Sequence, residues 1–305
     1  MQSLEKLIDR SGKLGSLPAI VYKVFEVMDD PKSTATNIGK VINDDPALTA
    51  RLLKLVNSPF YGFTAKIDTV YRAVALIGHK ELRSVVVAAS AINVFDGIPS
   101  ELVSMKDFWK RSLSTAVTAR VLAAFRRESQ IERFFIAGLL HDIGSLLLYL
   151  KMPEEMSQAL QLQKTDRLEL AKAEVEIMGF DHTEVGGGLL KKWNLPAQIC
   201  GSVRYQLQPE LAPEKEQSSA WLICLASQIV DRYFTKSVLD GGQEESRKDN
   251  PEDSAEKNLI ELGDSPFDEI DVSIWQANKL DPALLPKIIE KAHQQFESSK
   301  DILLS

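Results

Sequence analysis

The sequence predicts an essentially all-α protein, and three observations carry that prediction. Apolar residues recur at three- and four-residue steps through most of the chain. Helix start and stop residues flank those runs. No series of β-branched stretches alternates with period two between hairpin turns. At 305 residues, 44% hydrophobic and 26% charged, the chain is long enough for one large globular domain or two ordinary ones.

Individual helices follow in order. DDPALTARLLKLVNS opens with Asp45 as N-cap and Pro46 at the first helical position, and buries Leu48, Leu52, Leu55 and Val56. DTVYRAVALIG ends at Gly78, where a left-handed residue is wanted. In ELRSVVVAASAINVF, Leu82, Val85, Val86, Ala89 and Ile92 make one apolar stripe. Residues 96–106, DGIPSELVSMK, read as a seam between two helical blocks. Asp181 or Thr183 is placed to cap the helix of HTEVGGGLLKKWNLP. Asp281 and Pro282 repeat the start signal before LLPKIIEKAHQQF. Residues 236–258 are charge-dense with little to bury, and read as an exposed, mobile loop without function.

The net charge of −7 supplies no general attraction to nucleic acid or anionic membrane. Cys200 and Cys224 make no disulfide framework, which fits a reducing compartment. No apolar stretch is read as reaching the ~18 residues that span a bilayer. The N-terminus lacks a signal peptide's unbroken apolar core. The expected location is the cytoplasm.

FIAGLLHDIGSLLLYL, residues 135–150, embeds His141 and Asp142 in an apolar run. Burying such groups costs several kcal/mol, roughly, unless something satisfies them. By itself this pattern favours a hydrogen-bonded core histidine, with a carboxylate accepting from a guanidinium or a backbone N–H. The order and spacing of LPAIVYKVFEVMDDP, DPALTARLLKLVNSPFYG (45–62) and TVYRAVALIGHKELRSVVV resemble the HDOD family, the HD-related output domains of bacterial signalling proteins. FW at 108–109, AGLLHDIG at 137–144 and HTEVGGGLLKKWNLP at 182–196 continue the resemblance over roughly residues 14–235.

That resemblance implies a two-lobed fold, an N-terminal HDOD helical bundle followed by a lobe similar to the HD phosphohydrolase core. The expected divisions are an N-terminal lobe at 1–98, an HD-like lobe at 99–235, the loop at 236–258, and a C-terminal extension at 259–305 packing on the HD-like lobe. HD phosphohydrolases hold divalent metal with a His on one helix, an adjacent His-Asp pair, and an Asp on a last helix. Some add further His residues. Here the pair is His141 and Asp142, and His182 survives among the additional ligands. The first His position reads Arg111, and the final Asp position reads Ser227. Gln206 and Leu207 replace a His-His pair, and Ser145 stands where a Lys commonly follows HDxG.

Arg111 is a permanent cation, so it would repel a divalent metal and could instead pair with Asp142. No cofactor is therefore expected. His141, Asp142 and His182 would still make a three-ligand metal site if His182 converges on the pair. Elsewhere, GGG at 186–188 lacks the context of a phosphate loop and reads as close helix packing. Trp109, Trp193 and Trp221 read as core anchors, and His79 and His293 lie near helix ends. Phe60, Tyr61 and Phe63 crowd one loop; packing comes first, and contact with a partner is the functional reading.

Two functions follow. The first is a non-catalytic signalling or adaptor domain that contacts signalling proteins or a small regulatory ligand, or assembles with its own copies. The second is a metal-dependent phosphohydrolase or cyclic-nucleotide phosphodiesterase with a reduced site. The loss of several ligand positions favours the first, and the surviving His141–Asp142 pair motivates the second.

Overall fold

The computed structural model describes residues 3–9, 16–58, 61, 63, 65–91, 94–95, 98, 102–162, 167–234 and 270–303. Among them every regular element is helical, as expected. In order these are α1 (Leu4–Asp9), α2 (Ala19–Asp29), α3 (Ala35–Asn43), α4 (Pro46–Val56), α5 (Val70–Ile77), α6 (His79–Ala91), α7 (Met105–Phe125) and α8 (Glu132–Leu139). There follow α9 (Ile143–Lys151), α10 (Pro153–Leu162), α11 (Arg167–Met178), α12 (His182–Lys192), α13 (Ala197–Arg204), α14 (Glu214–Tyr233), α15 (Val272–Ala277) and α16 (Leu285–Leu303).

The start and stop residues act locally. Asp45 accepts from the Leu48 N–H with Pro46 behind it, and Gly78 closes α5 at φ 80°. Of the two candidate caps for α12 the carboxylate of Asp181 serves, accepting from the N–H groups of Thr183 and Glu184. After Asp281 the chain first makes a short 3-10 turn, Pro282–Leu284, so α16 proper begins at Leu285. Leu82, Val85, Val86 and Ala89 are all buried, whereas Ile92 lies outside the described residues. So does the whole of the 236–258 loop.

Helices α2–α6 pack largely on one another. The 21-residue α7 is the spine of the rest, lying against α8, α14 and α16, while α12 bridges α9 and α13. Contacts of α6 with α8, and of α16 with both α7 and α4, join the two sets, and a single apolar cluster runs from Leu7 to Phe296. Trp109 and Trp193 are buried in it; Trp221 is only half-buried.

One expectation is corrected. Residues 132–151 are long and apolar enough to cross a membrane by length and composition. That window is 89% buried within the protein, and the turn at residues 140–142 divides it into α8 and α9. Its apolarity reflects burial on all sides in the core.

Candidate functional site

His141 and Asp142 are in a turn, not within a helix: α8 ends at Leu139 and α9 begins at Ile143. Two glycines let that turn meet its neighbours. A Cβ on Gly138 would lie 2.6 Å from Ala116 Cα, so α8 rests backbone to backbone on α7. A Cβ on Gly144 would lie 2.0 Å from the His182 carbonyl oxygen, so the start of α9 touches the start of α12. Arg111 of α7, the His141–Asp142 turn and His182 of α12 are thereby gathered at one point.

The tautomer of His141 follows from its partners. Nδ1 lies 2.7 Å from the Gly138 carbonyl oxygen, an acceptor only, so Nδ1 carries the proton and donates. Nε2 keeps its lone pair and accepts from Arg111 Nη1 at 2.5 Å. Burial, then the Arg111 charge, pushes the imidazole pKa down to about 3, and the ring is neutral.

Asp142 receives Arg167 Nη1 at 2.5 Å, Arg111 Nη1 at 3.3 Å and Ser145 Oγ at 3.3 Å, with His182 Nε2 3.6 Å away. Burial by itself would raise its pKa. Arg167 and Arg111 outweigh burial and hold the carboxyl far below the usual range. The rest of the Arg111 guanidinium faces α14, where Nε and Nη2 donate to the two oxygens of Asp231 at 2.8 and 3.0 Å. Burial works against the Asp231 carboxylate too, and Arg111 again prevails, lowering its pKa.

His182 has a partner of its own on α11. Its backbone N–H and its Nδ1 both donate to Glu174 Oε2, at 2.8 and 2.7 Å. Burial would lower the His182 pKa, but Glu174 and then Asp142 raise it, which favours the imidazolium. Two guanidiniums, Arg111 and Arg167, and the His182 imidazole thus interleave with three carboxylates, Asp142, Asp231 and Glu174. A buried charge is tolerable only when paired in this way.

The residues expected at the site divide into two groups. Arg111, His141, Asp142 and His182 converge. Gln206 is buried beside them, its amide donating to the His141 carbonyl oxygen at 2.6 Å and so holding the turn. Ser227 does not supply the α14 position: its hydroxyl donates to the Cys224 carbonyl oxygen of its own helix. The acidic position there is Asp231, one turn later, a correction that adds a carboxylate to the cluster. Leu207 faces an outer groove lined by Leu168 and Leu211 instead. Tyr61 and Phe63 stack with ring centroids 6.0 Å apart, part-buried against the core, while Phe60 lies outside the described residues. His293 packs beside Phe234 on α16.

Arg167, Glu174 and Asp231 were not anticipated. Glu174 had a signal, since it lies on the stripe made by Leu170 and Met178 and is itself buried. Asp231 had one too, as the acid that ends the apolar run WLICLASQIV. Arg167 had none.

The residues do not fit a divalent ion. Among the described residues no three His, Cys, Asp or Glu side chains form a metal-holding group. The lone pair of His141 Nε2, which a metal would need, accepts from a guanidinium that also contacts both adjacent carboxylates. In front of Arg111 and Arg167 opens a cavity of about 350 Å³, walled by Phe108, Tyr149, Val230 and Phe234.

Comparison with known proteins agrees with this architecture. The HDOD domain family matches residues 14–209. An uncharacterized protein of Treponema pallidum (strain Nichols) is 25% identical over 236 residues, 77% of this chain and 44% of the relative, so the chain spans less than half that relative's length. A solved structure from Shewanella amazonensis SB2B, named as a candidate phosphohydrolase, superposes with TM-score 0.68 at 24% identity, covering 98% of this chain and 97% of that one. An HDOD domain protein of unknown function from Geobacter sulfurreducens gives TM-score 0.64 at 22% identity, covering 94% and 92%. A candidate signal transduction protein from Marinobacter aquaeolei VT8 gives 0.62 at 19% identity, covering 98% of this chain and 64% of that one. At these identities the likeness is one of fold.

Proposed function

The chain belongs to the HDOD family, and from that premise we propose that it is a non-catalytic signalling domain acting by contact with a partner protein or a small regulator. The observation that carries this reading is the seat of Arg111. Its guanidinium lies between His141 Nε2, Asp142 and Asp231, where an HD phosphohydrolase would need a dication to neutralise phosphate and activate water. A guanidinium is a monocation with no vacant coordination position, so it can do neither. It can hold α7, the α8–α9 turn and α14 together, which suits a domain that transmits a change of shape.

A second reading, a phosphohydrolase with a reduced site, has its own support. His141, Asp142, His182 and Asp231 remain clustered, and a structural neighbour is named as a candidate phosphohydrolase.

Metal analysis of the purified protein, with hydrolysis assays on cyclic dinucleotides and generic phosphodiesters, separates the two. The signalling reading expects substoichiometric metal and no turnover above buffer. Metal-dependent turnover that disappears in His141→Ala overturns it.

A further inference from the structure

We propose that the cavity in front of the ionic network binds a small organic oxyanion, a phosphate or carboxylate group carried on a flat apolar body. The inference rests on the signalling reading and supplies its regulator.

The cavity, about 350 Å³, falls in the range of small-molecule sites. Its lining combines charged and apolar residues. Among the lining residues Arg167 gives one Nη to Asp142, and its guanidinium makes no other hydrogen bond or ion pair with the described residues. Its side chain is 27% exposed and lines the cavity. Lys110 also lines the cavity, and its Nζ is 3.9 Å from Asp107, too far for a hydrogen bond. Ser114 is 1% exposed, lines the same space, and its hydroxyl makes no hydrogen bond with the described residues. The site therefore holds a guanidinium with donors to spare, a loosely engaged ammonium and a buried hydroxyl.

The two lining carboxylates do not cancel this. Asp142 already faces Arg111, Arg167 and His182, so it has no vacancy for a cationic ligand. Asp107 is at the rim and is 45% exposed. Phe108, Val230 and Phe234 add apolar lining suited to a flat ring. An anion there would share Arg167 with Asp142. Arg167 is the first residue of α11, so occupancy would be felt by a helix whose outer face exposes Val175.

The test uses the full chain and three probes of one shape: 4-nitrophenyl phosphate, 4-nitrobenzoate and 4-nitrobenzyl alcohol. Binding is followed by titration calorimetry and thermal shift up to millimolar concentration, and turnover of the phosphate by nitrophenolate colour. The expected result is binding of at least one anion, none of the alcohol, and no colour. Whether phosphate or carboxylate binds more tightly identifies the headgroup. Arg167→Gln should weaken binding roughly tenfold, the effect of one charge-assisted hydrogen bond. Lys110→Gln, which leaves the Arg167–Asp142 pair intact, should weaken it several-fold, and Lys172→Gln on the outer face of α11 should not. Equal binding of the alcohol, no anion binding, or affinity unchanged in both Arg167→Gln and Lys110→Gln overturns the proposal. Metal-dependent release of nitrophenolate would leave the pocket standing and overturn the non-catalytic reading instead.

Discussion

Arg111 donates through Nε and Nη2 to both carboxylate oxygens of Asp231, 120 residues away in sequence, at 2.8 and 3.0 Å. The fork geometry is bidentate, the form in which an Arg–carboxylate pair is strongest and most directional. Its third nitrogen reaches His141 and Asp142. One side chain therefore ties α7 to α14 and to the α8–α9 turn.

Removing that side chain should be costly. Arg111→Met keeps much of the stem but leaves Asp142 with less compensation and Asp231 with none of its bidentate partner. Breaking a buried pair typically costs ~3–5 kcal/mol; with Arg111 18% and Asp231 34% exposed, about 2–3 kcal/mol is expected. Urea denaturation of the variant measures it, and a loss under about 0.5 kcal/mol contradicts the structural role given to Arg111.

Arg111→His should create what the wild type lacks. An imidazole at 111 would stand beside His141 Nε2, Asp142 and Asp231, a nitrogen and carboxylate set suited to a divalent first-row metal. Calorimetry with Mn²⁺ or Zn²⁺ should show one site in the variant and none in the wild type. Chelator should lower the variant's Tm and leave the wild type's unchanged. Stoichiometric metal retained by the wild type would refute this.

Stability should peak near pH 6.5, with a different histidine behind each limb. His141 is held neutral down to about 3, whereas an unfolded histidine takes up a proton near 6.5. The unfolded chain therefore binds more protons as pH falls through that window, and stability declines. Asp142 and Asp231, both held below the usual carboxylate range by their guanidinium partners, add to the decline once the unfolded carboxylates begin to protonate. His182 is raised, so its contribution is complete below 6.5 and is lost as pH rises through its folded pKa. Each single-proton limb has a slope of at most ~1.4 kcal/mol per pH unit. Denaturation from pH 4.5 to 9 should show His141→Gln flattening the acid limb above pH 5. The double variant Glu174→Gln/His182→Asn should flatten the alkaline limb. If both limbs persist, these assignments are wrong.

Gly144→Ala tests the close approach that builds the site. The added Cβ would meet the His182 carbonyl oxygen at 2.0 Å and the Gly186 nitrogen at 2.5 Å, both backbone atoms that cannot turn aside. Overpacking of this kind costs ~1–3 kcal/mol, and contact with rigid backbone points to about 3. Gly78→Ala is a useful comparison. That position has φ 80° and nothing within 4 Å, so only the backbone strain is felt, about 1 kcal/mol. Equal losses for the two would argue against helix contact at Gly144.

Much of the fold was legible because its causes are local. Asp45–Pro46, Gly78 and the Leu82–Ala89 stripe act within a turn or two of themselves, and each was read correctly from neighbouring letters. The site was legible in part. His141 and Asp142 stood out as polar residues in an apolar run, and Arg111 was expected against Asp142. The α14 acid was misplaced at Ser227 because residues 227 and 231 share one helix face. Sequence spacing shows which face is buried; how far along it the ionic cluster lies is set by how α14 packs against α7. Leu207 was grouped with Gln206 for a similar reason, yet adjacent residues point apart, Gln206 to the turn and Leu207 to the outer groove.

The sequence by itself determined that the chain is helical and where several helices start and stop. Those are properties of residue type and of spacing along one element. Only the tertiary structure decided which charges share the buried site: Arg167 with Asp142, Glu174 with His182, Asp231 with Arg111. The physical reason is that Coulomb energy depends on separation in space and on the solvent excluded between the partners. Both quantities come into being when Gly138 and Gly144 allow four distant segments to close on one another.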